Sequence, residues 1–332
     1  MHVAGLVAVI LIALAFDFTN GFHDSANAIA SSISTRALSP RAALAVAAVF
    51  NLLGATLFST KVAKTIGSGI IDPARDYHLL VVLAAALLGA ITWNVITWYF
   101  GLPSSSTHSL IGGLIGAGLA SSTKVHWRII VDKVVIPMVV SPLVGFFLGA
   151  VVILAILWAF RRAKPKPVNH AFRRLQPLAA AAISLAHGMQ DAQKTMGVIA
   201  LALLAGHPDR AFTVPLWVKL CAAAAIAVGT YSGGWRIIRT LGRRIIKMDP
   251  PRGFAVDVTA AAILTFAAQH ASAPVSTTHV ISSTVMGVGS TDGLSAVRWG
   301  VARSIVAAWI LTIPAAGLVA AGVYCVINPI FG

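Results

Sequence analysis

Residues 98–112 read WYFGLPSSSTHSLIG, and residues 273–287 read APVSTTHVISSTVMG. In each, a proline and a run of hydroxyl residues separate one apolar stretch from the next. Pro103 with Ser104, Ser105, Ser106 and Thr107, and Pro274 with Ser276, Thr277 and Thr278, carry the signature of a helix N-terminus. His108 falls on His279 at an offset of 171 positions. A second pair keeps the same order. NGFHDSAN at 20–27 matches HGMQDAQK at 187–194, with Asp24 on Asp191 at an offset of 167. Two motifs repeated at nearly one offset predict two homologous halves, 1–160 and 176–332, joined by a linker at 161–175.

The surroundings of these motifs are apolar. Of 332 residues, 58% are hydrophobic and only 11% charged, against about 25% charged in an ordinary soluble domain. The chain therefore reads as an integral membrane protein. Its ten acids are all aspartate, set against 25 lysines and arginines, for a net charge of +15. Such a balance suits nucleic acid in a soluble protein. Here it suits cytoplasmic loops beside anionic lipid, with no nucleic-acid partner.

The basic residues are concentrated. Arg161, Arg162, Lys164, Lys166, Arg173 and Arg174 give the linker +6, and segment 235–252 carries +5. Both are expected in the cytoplasm. The matching first-half loop, 61–77, is only +1 and is expected outside, while 206–212 is neutral. Halves of opposite sidedness imply inverted topology. If the PSSSTH segment crosses the membrane, each half has five crossings and both termini lie outside. If it returns to its own side, the count per half is even.

Several apolar runs are shorter than the roughly 20 residues of a full span. They come in pairs interrupted by polar residues: 3–16 with 22–34, 177–186 with 195–206, and the runs flanking 101–108 and 271–279. Polar backbone at membrane depth survives where it lines a protein cavity, and broken helices mark transporter sites. The fold expected is an all-α integral membrane protein of about 10–12 membrane segments, built from two inverted-topology repeats with broken helices and re-entrant hairpin tips. The N-terminal run reads as a first membrane segment, since no lysine or arginine precedes Arg36. Cys221 and Cys325, in apolar runs, read as packing residues without a disulfide framework.

The motifs suggest their chemistry. A helix N-terminus offers unpaired N–H groups and partial positive charge to an anion. Hydroxyls add donors that can rotate around a tetrahedral oxyanion. Capping alone would explain one such tip, but two in a repeated chain argue for binding. Aspartates inside membrane segments are costly and functional by default. Asp24 and Asn27 would share one helix face as hard oxygen ligands for a cation, with Asp191 as the second carboxylate. Lys194 either balances Asp191 or reaches the anion. His23 and Gln190 occupy equivalent positions, and His23 could relay protons. His108 and His279 are expected to support the tips. The chain thus reads as a two-fold anion transporter with a cation site beside the anion.

At these residues the sequence resembles the inorganic phosphate transporter (Pit) family, on NGFHDSANAIA, WYFGLPSSSTHSLIG, LAHGMQDAQKTMG, GTYSGGWRIIRTLG and APVSTTHVISSTVMG in family order. It is most like the bacterial low-affinity branch. The resemblance implies a multi-pass plasma-membrane symporter, not an enzyme, that takes up inorganic phosphate at the hydroxyls of Ser104, Ser105, Ser106, Thr107, Ser276, Thr277 and Thr278. It implies cation or metal contacts at Asp24, Asn27 and Asp191, coupling to H⁺ or Na⁺, phosphate carried with Mg²⁺ or Ca²⁺, and a homodimer. Gln190 replaces a family asparagine, which weakens a sodium site in the second half. Val275 replaces a hydroxyl relative to Ser104, so the tips differ.

Three other readings use the same residues. A sulfate permease shares the scaffold, although sulfate carries no proton to suit a nearby carboxylate. An anion channel would need no coupling. An intramembrane serine hydrolase could use Ser106 or Thr277 with His108 or His279, but the chain has no Gly-x-Ser-x-Gly elbow.

Overall fold

The computed structural model describes residues 2–72, 77–205, 207 and 211–331. The described residues are almost wholly helical. The first half comprises α1 (His2–Ser34), α2 (Pro40–Leu57), α3 (Lys61–Gly69), α4 (His78–Phe100), α5 (Ser106–Ala120), α6 (Trp127–Ile130) and α7 (Ile136–Ala159). The second comprises α8 (Pro165–Ala202), α9 (Leu216–Ser232), α10 (Trp235–Arg239), α11 (Pro250–Phe266), α12 (Thr277–Ser290) and α13 (Trp299–Phe331).

Two expected breaks are absent. NGFHDSAN lies inside the continuous 33-residue α1, and HGMQDAQK inside the 38-residue α8. An unbroken helix satisfies its own backbone, so its polar side chains need only face the protein interior. The other two breaks are real. Backbone in the left-handed region ends the lead-in at Gly101 (φ 66°) and at Ser272 (φ 50°). An extended stretch follows in both, and then α5 or α12 begins. Six described helices are long and apolar enough to cross a bilayer, and the bent pair α9–α10 makes up to seven. The remaining segments counted among ten to twelve include α5 and α12, at 15 and 14 residues, and the charged α8.

The basic segments share one end of the molecule. Phe172 packs edge-on against Phe254 at 5.3 Å, and Arg252 pairs with Asp249 and with Asp292. Residues 69–72 and 124–126 lie together at the other end, where Asp72 N donates to Lys124 O at 2.8 Å. Arg75, Asp76, Asp209 and Arg210, which enter the loop-charge reading, lie outside the described residues, as does the side chain of Arg243. Cys221 and Cys325 are free and sit on exposed faces of α9 and α13, not in packed contacts.

The halves interleave. α1 packs on α9 and α8 on α2; α5 packs on α13 and α12 on α7. Backbone meets backbone at these crossings. A Cβ on Gly21 would sit 2.5 Å from Ile226 O, and one on Gly188 would sit 2.1 Å from Asn51 O. Beside them, Asn51 donates to Thr230 at 2.9 Å and contacts His187 Nδ1 at 3.1 Å.

Each hairpin bend is held by a short helix of the opposite half. Lys61 Nζ donates to Gln269 O at 3.1 Å, and Thr65 to Ser272 O at 2.9 Å. At the other end, Arg236 donates to Tyr99 O, and Thr240 to Gly101 O at 2.9 Å. A cation and a threonine four residues apart thus tie down the last carbonyls of each lead-in. The two bends lie at opposite ends of the molecule, and the tips run inward from them.

Candidate functional site

The site is built on a polar stripe of α1. Asp17, Asn20, Asp24, Asn27 and Ser31 follow a spacing of three and four, which places them on one helix face. All five are buried. His187, Asp191 and Lys194 form the corresponding stripe of α8 and are equally buried.

Both tips begin the same way. Ser105 and Ser276 cap α5 and α12, each accepting from the backbone N–H of the matching histidine at 3.2 Å. That bond uses the third N–H of each helix. The earlier N–H groups, of Ser106 and Thr107 and of Thr277 and Thr278, have no intrahelical acceptor and project from the helix ends.

Asp24 lies where the tips meet. Ser106 donates to its Oδ2 at 2.6 Å, and Thr278 to its Oδ1 at 3.3 Å. His23 Nδ1 lies 2.7 Å from Oδ1. A hydrogen on Nδ1 leaves Nε2 to accept, with Thr97 and Ser104 hydroxyls at 3.2 and 3.3 Å. Asn27 donates to Thr278 at 2.9 Å and to Thr277 at 3.3 Å, and its Oδ1 is buried without a partner.

Lys194 bridges a carboxylate and the first tip. Its Nζ lies 3.2 Å from Asp191 Oδ1 and donates to Ser106 Oγ at 2.8 Å. One ammonium therefore joins α8 to the first tip. His187 Nε2 lies 3.0 Å from Asp191 Oδ2. Asp24, His187 and Asp191 offer ligand atoms all within 4.8 Å of one another, a set able to hold a metal ion. The amide nitrogen of Asn27, one turn along α1 from Asp24, is engaged by the second tip.

Other expected residues stand apart. Gln190 donates to Leu264 O and Ala273 O, both at 3.4 Å, so it anchors the second hairpin and does not face Asp24. His108 and His279 meet ring to ring at 4.7 Å, and His279 stacks on Trp309 at 4.0 Å. They join the tips by ring contact; their backbone N–H groups make the cap bonds. Thr107 is buried in the first turn of α5. His187, Asn20 and Thr97 join the site without a role expected from the sequence. His187 was detectable four residues before Asp191, on the same helix face. Thr97 gave no signal, because its partners are brought to it by the hairpin.

Buried carboxylates on two helices, an ammonium between them and two helix N-termini converging on one point define a membrane transport protein for an anion. A match to the phosphate transporter family spans residues 20–320, and the chain belongs to that family. It is 48% identical over 322 residues to a protein of Rhizobium meliloti described as "Probable low-affinity inorganic phosphate transporter", covering 96% of this chain and 95% of that one. A protein of Bacillus subtilis with the same description is 43% identical over 98% of both chains. A solved structure, "The sodium-dependent phosphate transporter", superposes with a TM-score of 0.87 at 26% identity, covering 98% of this chain and 100% of that one. The chain is accordingly a multi-pass plasma-membrane phosphate transporter, a transport protein and not an enzyme.

Proposed function

We propose that the chain imports inorganic phosphate by cation-coupled symport, with the anion held between the tips of α5 and α12. The observation that carries this is Asp24, bonded at once to Ser106 of one tip and Thr278 of the other. A cation at that carboxylate would draw both tips together and offset the charge of the entering anion. The hydroxyls of Ser104, Ser106, Thr277 and Thr278, the helix N-termini and Lys194 supply donors for its oxygens. Ser105 and Ser276 contribute by shaping the tips.

Asp24, His187 and Asp191 are the strongest candidates for the cation. The name of the sodium-dependent relative supports Na⁺. Protons are the alternative, and His23 against Asp24 would carry one. Phosphate complexed with Mg²⁺ or Ca²⁺ would fit the same carboxylates. Bends at opposite ends support inverted halves, at 1–160 and 176–332, that expose the site to each side in turn. We propose a homodimer as well, as the resemblance to the Pit family implies.

The test is uptake of ³²P-phosphate into proteoliposomes with proton, sodium and magnesium gradients imposed separately. Uptake driven by one cation gradient is expected. Uptake that no gradient changes would leave an uncoupled channel. Excess sulfate is expected not to compete, and strong competition would favour a sulfate permease.

A further inference from the structure

Asp17 opens the polar stripe of α1. It stands seven residues before Asp24, about 10 Å along the axis at 1.5 Å per residue. The last turn of the same helix, at Thr35, borders Gly253 of α11, next to the basic segment 235–252. Asp17 therefore lies on the other side of Asp24, toward the end expected outside. It is 0% exposed.

Nothing answers its charge. Among the described residues Asp17 enters no ion pair, and neither of its oxygens takes a hydrogen bond. The charges that act on it are those of Lys194 and Asp191, both on α8, and its polar neighbours are Asn20 and Thr195. The Nδ2 of Asn20 and the hydroxyl of Thr195 are themselves buried and unpaired. The ammonium that could serve Asp17 is committed elsewhere. Lys194 has three hydrogens to give. Its Nζ lies 3.2 Å from Asp191 Oδ1, 2.8 Å from Ser106 Oγ and 3.4 Å from Asn20 Oδ1. A lone negative charge in a low dielectric is too costly to persist, so a buried carboxylate of this kind is paired, protonated or bound to a metal. A nearby ammonium and an amide N–H disfavour a metal ion and suit a proton.

The arrangement occurs in one half alone. At the repeat offset of 167, Asp17 falls on Ser184, Asn20 on His187 and Thr195 on Ala28. Ser184 is satisfied by its own helix, donating to Ala180 O at 2.6 Å. The matching station on α8 therefore has no carboxyl to load.

We propose that Asp17 carries a proton that travels with phosphate, and that losing this proton draws Lys194 from the first tip toward Asn20 and Asp17. Protonated, Asp17 leaves the ammonium with Ser106 and Asp191, where the anion is held. Ionised, it competes for that ammonium, and the anion is loosened. The proton passes from external water to the carboxylate, and from the carboxylic acid to cytoplasmic water when phosphate leaves. By linkage, proton and phosphate each raise the affinity for the other. This names a coupling ion for the symport proposed above and rests on that reading; it adds to any cation held at Asp24.

The experiment measures a ratio, not a rate. The full chain in proteoliposomes is given an inward proton gradient of one pH unit, with equal sodium on both sides and the membrane potential clamped at zero by potassium and valinomycin. The steady ratio of ³²P-phosphate inside to outside is read, beside ³²P-phosphate exchange at equal phosphate and equal pH. A merely damaged transporter reaches the same ratio more slowly. A transporter that moves one proton fewer per phosphate reaches a ratio about tenfold lower per pH unit. Asp17→Asn, a permanently neutral side chain, is expected to show that tenfold drop while still exchanging phosphate. Asp17→Glu is expected to keep the wild-type ratio. Should Asp17→Asn fail to accumulate in the membrane, Asp17→Ser takes its place, since a serine already occupies the matching position of α8. A wild-type ratio in the neutral variant would overturn the role of Asp17. So would a wild-type protein whose ratio ignores the pH gradient, although uptake driven by sodium would leave the symport reading intact. Wild-type protein that exchanges no phosphate would overturn the transport reading itself.

Discussion

Ser106 Oγ gives its hydrogen to Asp24 and takes one from Lys194, at 2.6 and 2.8 Å. A single hydroxyl at the first tip therefore joins a carboxylate of α1 to an ammonium of α8. Asp24→Asn keeps the shape and removes the charge that this bond serves. A hydrogen bond to a charged group contributes about 1.5–3 kcal/mol. Phosphate uptake is expected to fall at least tenfold, with the amount of protein in the membrane unchanged. Uptake assays beside a membrane immunoblot check both parts, and normal uptake would refute a role for the carboxylate.

The second tip is tested by Thr278→Ala. The change removes the acceptor for Asn27 and the donor to Asp24. At about 1 kcal/mol for a neutral bond, the phosphate KM is expected to rise about fivefold. Thr107→Ala, at the matching position, is expected to raise it as well. Initial rates across a phosphate series give the answer; if neither KM moves, the tips are scaffolding.

Lys194→Met strands Asp191 in a buried site with His187 as its remaining contact. Removing one partner of a buried ion pair costs about 3–5 kcal/mol. The thermal midpoint in detergent is expected to drop by several degrees. Lys194→Met combined with Asp191→Asn is expected to recover part of that loss, because no lone charge remains. A double variant no more stable than the single one would argue against the pairing.

Gly188→Ala is expected to prevent accumulation of folded protein, since its Cβ would lie 2.1 Å from Asn51 O. Gly300→Ala serves as the control, for nothing lies within 4 Å of that Cβ. Size-exclusion profiles of the two variants compare them directly. A monodisperse Gly188→Ala protein would mean that α8 and α2 can separate at little cost.

The hairpin tips were legible because a cap has a local sequence rule. Proline, hydroxyl and histidine recur 171 positions apart, and both serine caps follow. Membrane character was legible from composition. Continuity of α1 and α8 was not, because Asp24 and Asp191 lower the local hydropathy without interrupting the backbone. The turn of Gln190 toward Leu264 O and Ala273 O was hidden as well, since it depends on a hairpin folded more than 70 residues away. The bond from Asn27 to Thr278 was hidden too, because the two residues are 251 positions apart. Local patterns reveal helix ends and faces; they do not reveal which distant helix a face will meet.

The interleaving of the halves has a consequence for biogenesis. When α1 to α7 have left the ribosome, Asp24 has His23 and Ser106, but Lys194 and Thr278 have not been synthesised. The contact surfaces for α8, α9, α12 and α13 are equally uncovered. The early membrane segments must therefore wait, polar groups included, in the shelter of the insertion machinery or of one another. The first half is completed by the second as by a missing subunit. Two separately expressed halves should each be degraded alone and rescued together.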